Sequence, residues 1–422
     1  MRKIFAGYAK VEKNIYTLIF ALFFIQLINA SFGLLRNYLL LEKGYKDFEI
    51  ANFTSYNYMA IAIIAFPLGL FIKGRKLKNW FSIAMAFLPV IAILEVYAID
   101  HHMDLLIKIL MLCWGLAFAC LSATQTPYFL LNSKKENHSE IFALIFQTYT
   151  LSTILAGSLH YLFKYFVPFF GNDRNFLYLF SGLGIFAIYF LFRLDKEEIT
   201  SEKIPISKAY KTYDWMVILS VIIPSTVIAI GAGLTIQFIN LFFENVHHMK
   251  SDTYSLMLAI TYVLVGFVTF VIPAIKKNFG YNIAITLVQV LAIVFLFLLA
   301  TTEWYNEKWY AVYLAMFFFI FRQPLMNAAG PMTSELSNHY VGEKNRELVS
   351  SLSASIWSGS WFFSAKIFEV LRAANIAYST ILIITALMYC LGVGSYQLLI
   401  RSYYRKLRLG LIDELDPAQQ NF

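Results

Sequence analysis

Apolar runs of about 20 residues recur along the whole chain, parted by short polar breaks such as KGRKLKN at 73–79 and DHHMD at 100–104. The hydrocarbon core of a bilayer needs about 20 apolar residues per spanning helix. Each run therefore reads as a transmembrane helix, and the chain as an all-α polytopic membrane protein. Composition agrees: 59% of residues are hydrophobic, 40 are Phe, and only 14% are charged, against about 25% in soluble domains. The N-terminal MRKIFAGYAKVEKN is basic and too polar for the core of a signal peptide, so no cleaved segment is expected.

Twelve spans are predicted, at 14–41, 49–72, 80–99, 105–131, 140–163, 175–193, 215–243, 252–276, 281–302, 309–334, 347–371 and 375–400. The one long connection, DKEEITSEKIPISKAYKTYD at 195–214, divides them six and six. This predicts an N-terminal six-helix bundle over 1–194, a cytoplasmic linker, a C-terminal bundle over 215–400 and a cytoplasmic tail over 401–422. With both termini inside, and with Arg193 and Lys276 at the inner ends of their spans counted with the cytoplasmic segments, 23 of the 34 lysines and arginines fall on cytoplasmic segments and seven on outer loops. The remaining four, Arg36, Lys108, Arg322 and Lys366, lie inside spans. That bias predicts cytoplasmic termini. It also accounts for the net charge of +8 without a nucleic-acid partner.

The halves echo each other. GLLRNYLLLEKGYKDFEI from Gly33 and GLTIQFINLFFENVHHMKSD from Gly233 stand 200 residues apart, each at the outer part of the first span of its half. In the fourth spans, TPYFLLNSKKENHSEIF and GPMTSELSNHYVGEKNREL place Pro127 and Pro331 correspondingly. A repeated half is the architecture of many secondary transporters.

With these features the chain resembles the major facilitator superfamily along its whole length. FPLGLFIKGRKLKNW (66–80) stands where that family carries a Gly-x-x-x-Asp-Arg-x-Gly-Arg-Lys type gating loop. Gly69 is kept, Lys73 takes the acidic position, and Arg75, Lys76 and Lys78 complete a basic cluster. IAIGAGLTIQFINLFF, RQPLMNAAGPMTSEL and NRELVSSLSASIWSGSW look like spans 7, 10 and 11 of bacterial carriers of this superfamily. The resemblance implies two six-helix domains rocking about a site near the bilayer midplane. Spans 1, 4, 7 and 10 would line its centre.

Polar residues inside the spans are the candidate substrate contacts. Arg322 lies about 20 Å along span 10 at about 1.5 Å per residue, where an unpaired Arg costs about 2.5–3.5 kcal/mol on insertion scales. Gln323, Asn327 and Gly330 adjoin it, and Pro324 interrupts the local ladder. In span 1, Gln26, Asn29, Gly33 and Arg36 form one polar stripe, with Asn37 beside it. Span 7 carries Gly233, Gln237 and Asn240, span 4 Thr124, Gln125 and Tyr128, and span 5 Gln147 and Thr150. Span 11 brings Trp357 and Trp361 to one face. For the amides and hydroxyls, helix–helix bonding is an equal reading. For the two tryptophans, packing is the reading favoured slightly over binding. Lys366, Glu369, Arg372 and Lys108 are expected to snorkel near the outer interface. Glu95 is expected to be a structural partner, and His160 a hydrogen-bonded helix histidine.

Spans 1, 4, 7 and 10 carry no acid in their middles, and arginine holds its proton at working pH. Two fixed cations, Arg36 and Arg322, suit an anionic group, because the guanidinium fork matches carboxylate or phosphate. Arg36 in LLRNYLL is similar in placement to the span-1 arginine of organophosphate:phosphate antiporters.

The expected function is a monomeric secondary transporter in a bacterial-type inner membrane. It would move a small organic solute by alternating access, with a coupling proton or a counter-transported anion. The alternative is a multidrug or lipophile exporter whose arginines pair with Glu42 or Glu95. Enzymatic chemistry is not expected: there is no nucleophile elbow, Gly-rich phosphate loop or metal-spaced cluster. Cys113, Cys120 and Cys390 all sit in apolar runs and read as small hydrophobes. No metal, cofactor or catalytic residue is expected. A non-transporting scaffold or receptor would need a soluble domain, and the outer loops are all short.

Overall fold

Every predicted span folds as helix. The computed structural model describes residues 11–72, 75–134, 137–194 and 214–410, and among these there is no strand. In chain order the helices are α1 (Lys13–Glu42), α2 (Asp47–Phe71), α3 (Lys78–Asp100), α4 (Asp104–Leu131), α5 (His138–Phe166), α6 (Asp173–Leu183) and α7 (Ile185–Phe192). There follow α8 (Trp215–Ile236), α9 (Ile239–His247), α10 (Ser251–Tyr281), α11 (Val288–Thr301), α12 (Ala311–Ala373) and α13 (Tyr378–Arg408). Ten segments are long and apolar enough to cross a bilayer. The predicted spans at 49–72 and 347–371 fall in α2 and in the second part of α12.

Chain reversals come where the sequence supplies a left-handed residue or a polar cap. Gly44 (φ 85°) ends α1, and Asn172 and Asp214 cap the first turns of α6 and α8. The 63-residue α12 is two helices joined at Gly342 (φ 72°), between the predicted spans 10 and 11. The predicted sixth span is two short helices meeting at Gly184, where a Cβ would lie 2.3 Å from Ile28 Cδ1 of α1. The seventh is also interrupted, at Gln237 and Phe238 between α8 and α9. A π-helical stretch, Asn282–Leu287, opens the ninth.

The described residues form two compact units. The first takes the chain to residue 194 together with Lys250–Ala259; the second takes 214–249 and Ile260 onward. In the first, α4 packs on α2 and α3, and α1 on α5. In the second, α8 packs on α12 and α13, and α11 on α12. Gly115 permits the α2–α4 contact, since a Cβ there would lie 2.0 Å from the Asn57 carbonyl oxygen. Large apolar side chains such as Phe87, Phe267 and Leu391 are exposed. Patches of that extent are stable against lipid and not against water. The protein is a multi-pass integral membrane protein. The predicted linker lies outside the described residues except for Asp214, as do 411–422 of the tail. α13 runs on to Arg408, eight residues past the predicted end of the last span.

Candidate functional site

Arg36 in the first unit is partly buried and Arg322 in the second fully buried, and the two are treated differently. In the first unit α1 carries Arg36 and α3 carries Glu95. Arg36 Nε stands 2.6 Å from Glu95 Oε1, and Nη2 donates to Oε2 at 3.3 Å. This is a side-on, two-point pair. The Glu95 side chain is wholly buried and that of Arg36 is 12% exposed. The rings of Phe32 and Trp114 stand 5.2 and 4.8 Å from the guanidinium carbon. Arg36 is therefore held by a carboxylate and flanked by two rings.

The other first-unit candidates are mostly engaged locally. Asn29 donates to Gln26 Oε1 at 3.0 Å. Tyr128 is buried, stacks edge-on with Phe81, and accepts from Asn14 Nδ2 at 3.2 Å. Thr124 and Thr150 return their hydroxyls to the carbonyls of Cys120 and Phe146. Gln125 has a buried Oε1 with no protein partner. Gln147 is half-buried on α5.

In the second unit α12 carries Arg322, which is 1% exposed. Nη1 donates to Gln323 Oε1 at 2.9 Å and Nη2 to the Tyr389 hydroxyl at 3.4 Å. The guanidinium carbon stands 5.8 Å from the Tyr389 ring centroid. Nε has no protein partner. Among the described residues no carboxylate lies within ion-pair distance of Arg322. Its neighbours are thus two neutral oxygens and an aromatic face, and its charge is uncompensated. Gln323 is buried and spans both functions, since its backbone carbonyl also accepts from Asn327 Nδ2 at 2.9 Å.

The α8–α9 break brings a second group of candidates together. Gln237 sits in the break and donates to the Trp361 carbonyl at 3.5 Å. Asn240 is buried and its Oδ1 accepts from the Leu241 N–H at 3.0 Å. Gly233 lets this face close, because a Cβ there would lie 2.6 Å from Ser364 and 3.2 Å from Gln237 Nε2. Ser364 bonds the Ile230 carbonyl at 2.7 Å. Trp357 and Trp361 are 6.3 Å apart and tilted, with Trp357 exposed. Interrupted helices of this kind present unsatisfied backbone to a ligand in many transporters.

Of the loop candidates, Arg75 and Lys76 do not gather with either group. Arg75 stacks on Phe71 at 3.8 Å and Lys76 is exposed. Gly69 lies in α2, and Lys73 lies outside the described residues. Lys366 pairs with Glu369 at 2.8 Å, and Arg372 donates to the Ile376 carbonyl at 2.5 Å. Lys108 stands 5.9 Å from the Phe53 and Tyr56 rings. Sequence reasoning missed Tyr389, a single Tyr in the last apolar run. It also missed the break in the seventh span, which no glycine or proline marks at 237–238. Among the described residues no group of three or more His, Cys, Asp or Glu could hold a metal ion.

No protein-family model and no curated protein sequence matches the chain. Its fold does match solved structures over nearly its whole length. A variant of the nucleoside transporter NupG superposes with a TM-score of 0.70 at 14% identity, covering 92% of this chain and all of that one. A bacterial homologue of the lysosomal transporter Spinster gives 0.69 at 12% identity, covering 96% and 98%. A D-xylose–proton symporter gives 0.69 at 13% identity, covering 90% and 95%. The chain has the fold of the major facilitator transporters.

Proposed function

We propose that this protein is a secondary active transporter that moves a small organic anion by alternating access. The observation that carries the substrate class is Arg322. A buried guanidinium with no acid beside it keeps several kcal/mol of desolvation cost uncompensated. A carboxylate or phosphate brought to its unpartnered Nε would supply the missing countercharge through a charge-assisted bond. Gln323 and Tyr389 hold the fork, and Asn327 lies one turn along the same helix. Gln237, Asn240, Trp357 and Trp361 make the polar and aromatic wall of the second unit.

The role of Arg36 changes with its surroundings. Glu95 already supplies its countercharge, so Arg36 is a frame element of the first unit and charge recognition falls on Arg322. The same pair supports the second reading, an exporter of lipophilic solutes, in which both arginines are structural and the aromatic wall does the binding. In either reading the chain has twelve spans, cytoplasmic termini and an inner-membrane location, and acts as a monomer. A proton or a returning anion would couple the cycle.

A thermal-shift screen of purified protein against anionic, neutral and cationic solutes tests this. A ligand at 100 times its Kd stabilises by about 2.7 kcal/mol. An anion that stabilises the wild type and leaves Arg322→Ala unmoved supports the proposal. Hydrophobic cations that stabilise both alike favour the exporter.

A further inference from the structure

One face of α13 changes character along its length. Leu391, Gly394, Leu398, Arg401, Arg405 and Arg408 follow one another at alternating steps of three and four residues, so they share that face. Leu391 and Leu398 are 68% and 66% exposed, and a Cβ on Gly394 would meet nothing within 4 Å. All three arginines are exposed. Leu391 stands ten residues before Arg401, about 15 Å along a helix that rises about 1.5 Å per residue. That is the depth of one leaflet in a hydrocarbon core about 30 Å thick. The face therefore runs from acyl-chain chemistry to headgroup chemistry over the right distance.

The arginines have no countercharge of their own. α13 contains no Asp or Glu from Tyr378 to Arg408. Among the described residues no carboxylate lies within ion-pair distance of the three. Arg408 Nε donates to the Tyr404 carbonyl at 3.4 Å. Like charges three and four residues apart on a helix repel one another. The segment is nonetheless held as helix by its opposite face. Tyr403 is buried and packs edge-on against Tyr281 at 5.7 Å. The Tyr404 hydroxyl accepts from the Tyr281 N–H at 3.2 Å. The Tyr340 hydroxyl is 2.9 Å from Ser402 Oγ, and Lys406 Nζ stands 4.0 Å from the Tyr340 ring centroid. Packing of the second unit thus fixes three cationic positions just beyond the exposed leucines. An anion that binds there meets a helix already ordered, which lowers the entropy lost on binding.

We propose that this face of α13 binds an anionic phospholipid, with the phosphate on Arg401, Arg405 and Arg408 and the acyl chains along Leu398 and Leu391. The guanidinium fork matches phosphate oxygens. Basic clusters at the end of a spanning helix are attracted to anionic lipid. The site is independent of which solute the protein moves, and it is measured without one.

Purified wild type is titrated in detergent with dioleoyl phosphatidylglycerol or dioleoyl phosphatidylcholine, and bound lipid is counted by native mass spectrometry. Phosphatidylglycerol is expected to be retained and phosphatidylcholine lost. Wild type that holds the two lipids alike overturns the proposal. Arg401→Gln with Arg405→Gln and Arg408→Gln should weaken the anionic lipid by on the order of 100-fold, at about fivefold per arginine. Lys46→Gln with Lys250→Gln and Lys308→Gln removes the same net charge from three exposed lysines elsewhere and should bind as wild type does. Equal losses in the two triple variants would show bulk charge attraction and overturn the proposal, as would unchanged binding in the arginine variant. It is overturned too if glycerol phosphate, which has the anion without the chains, binds as tightly as the lipid. Asp413, Glu414 and Asp416 follow the arginines in sequence. If phosphatidylglycerol is retained only by Asp413→Asn with Glu414→Gln and Asp416→Asn, the chain's own acids occupy the arginines and the proposal falls.

Discussion

Glu95 grips Arg36 from the side, with Oε1 2.6 Å from Nε and Oε2 accepting from Nη2, while Arg322 in the second unit has no acid within ion-pair distance among the described residues. Two arginines that look alike in sequence thus carry opposite electrostatic positions. One is neutralised by its own protein, and the other has two neutral oxygens and a ring as its neighbours.

That contrast predicts opposite signs in a stability measurement. Arg36→Ala leaves Glu95 buried and unpaired, and Glu95→Ala leaves Arg36 so. Each should destabilise by about 3–5 kcal/mol. Removing both at once, as Arg36→Met with Glu95→Leu, should be close to neutral. Unfolding in detergent followed by tryptophan fluorescence checks this. Additive losses in the double variant would show that the pair is not coupled.

Arg322→Ala should leave stability unchanged or raise it, because it deletes an uncompensated cation. It should also abolish stabilisation by anions. Arg322→Lys should not restore that response, since an ammonium cannot hold Gln323 and Tyr389 and at the same time present a fixed N–H where Nε stands. Thermal shift with and without the anion distinguishes these outcomes from simple misfolding.

Gly115→Val tests the α2–α4 seam. Its first side-chain carbon would stand 2.0 Å from the Asn57 carbonyl oxygen, and backbone cannot yield as a flexible side chain can. The expected loss is about 1–3 kcal/mol or more from overpacking. The same substitution at Gly330, where a Cβ meets nothing within 4 Å, should cost far less. The comparison is read from denaturation midpoints of the two variants.

Glu12 makes stability depend on pH at the entrance to α1. Burial by itself would raise its carboxyl pKa. The Lys134 backbone N–H at 2.9 Å, a backbone bond within Glu12, the Asn137 amide and the Lys134 charge outweigh it, and hold the carboxyl below the usual glutamate value. A carboxyl depressed in the folded state contributes stability above its unfolded pKa and loses it as pH falls through the folded one. Wild type should therefore melt above Glu12→Gln at neutral pH, and the gap should close on acidification below the ordinary glutamate range. A gap that stays constant would place the effect in packing instead of charge.

Much of this molecule is written in its apolar periodicity. Length and composition of the runs determine that the chain lives in lipid and is helical, because a backbone without water must bond to itself. Its polar residues within those runs, Arg322 and Gln237 among them, are visible in sequence because each is costly there. What sequence does not carry is pairing. Arg36 and Glu95 are 59 residues apart, and His160 and Ser255 are 95 apart. Nothing in either local pattern says which charge meets which. Only the packing of α1 on α3, and of α10 on α5, decides that Arg36 is spent on Glu95 while Arg322 is left uncompensated. Likewise the break at Gln237 and Phe238 follows from no helix-breaking residue. The structure places it beside the close Gly233–Ser364 approach, and the weak helix preferences of an apolar run do not locate it.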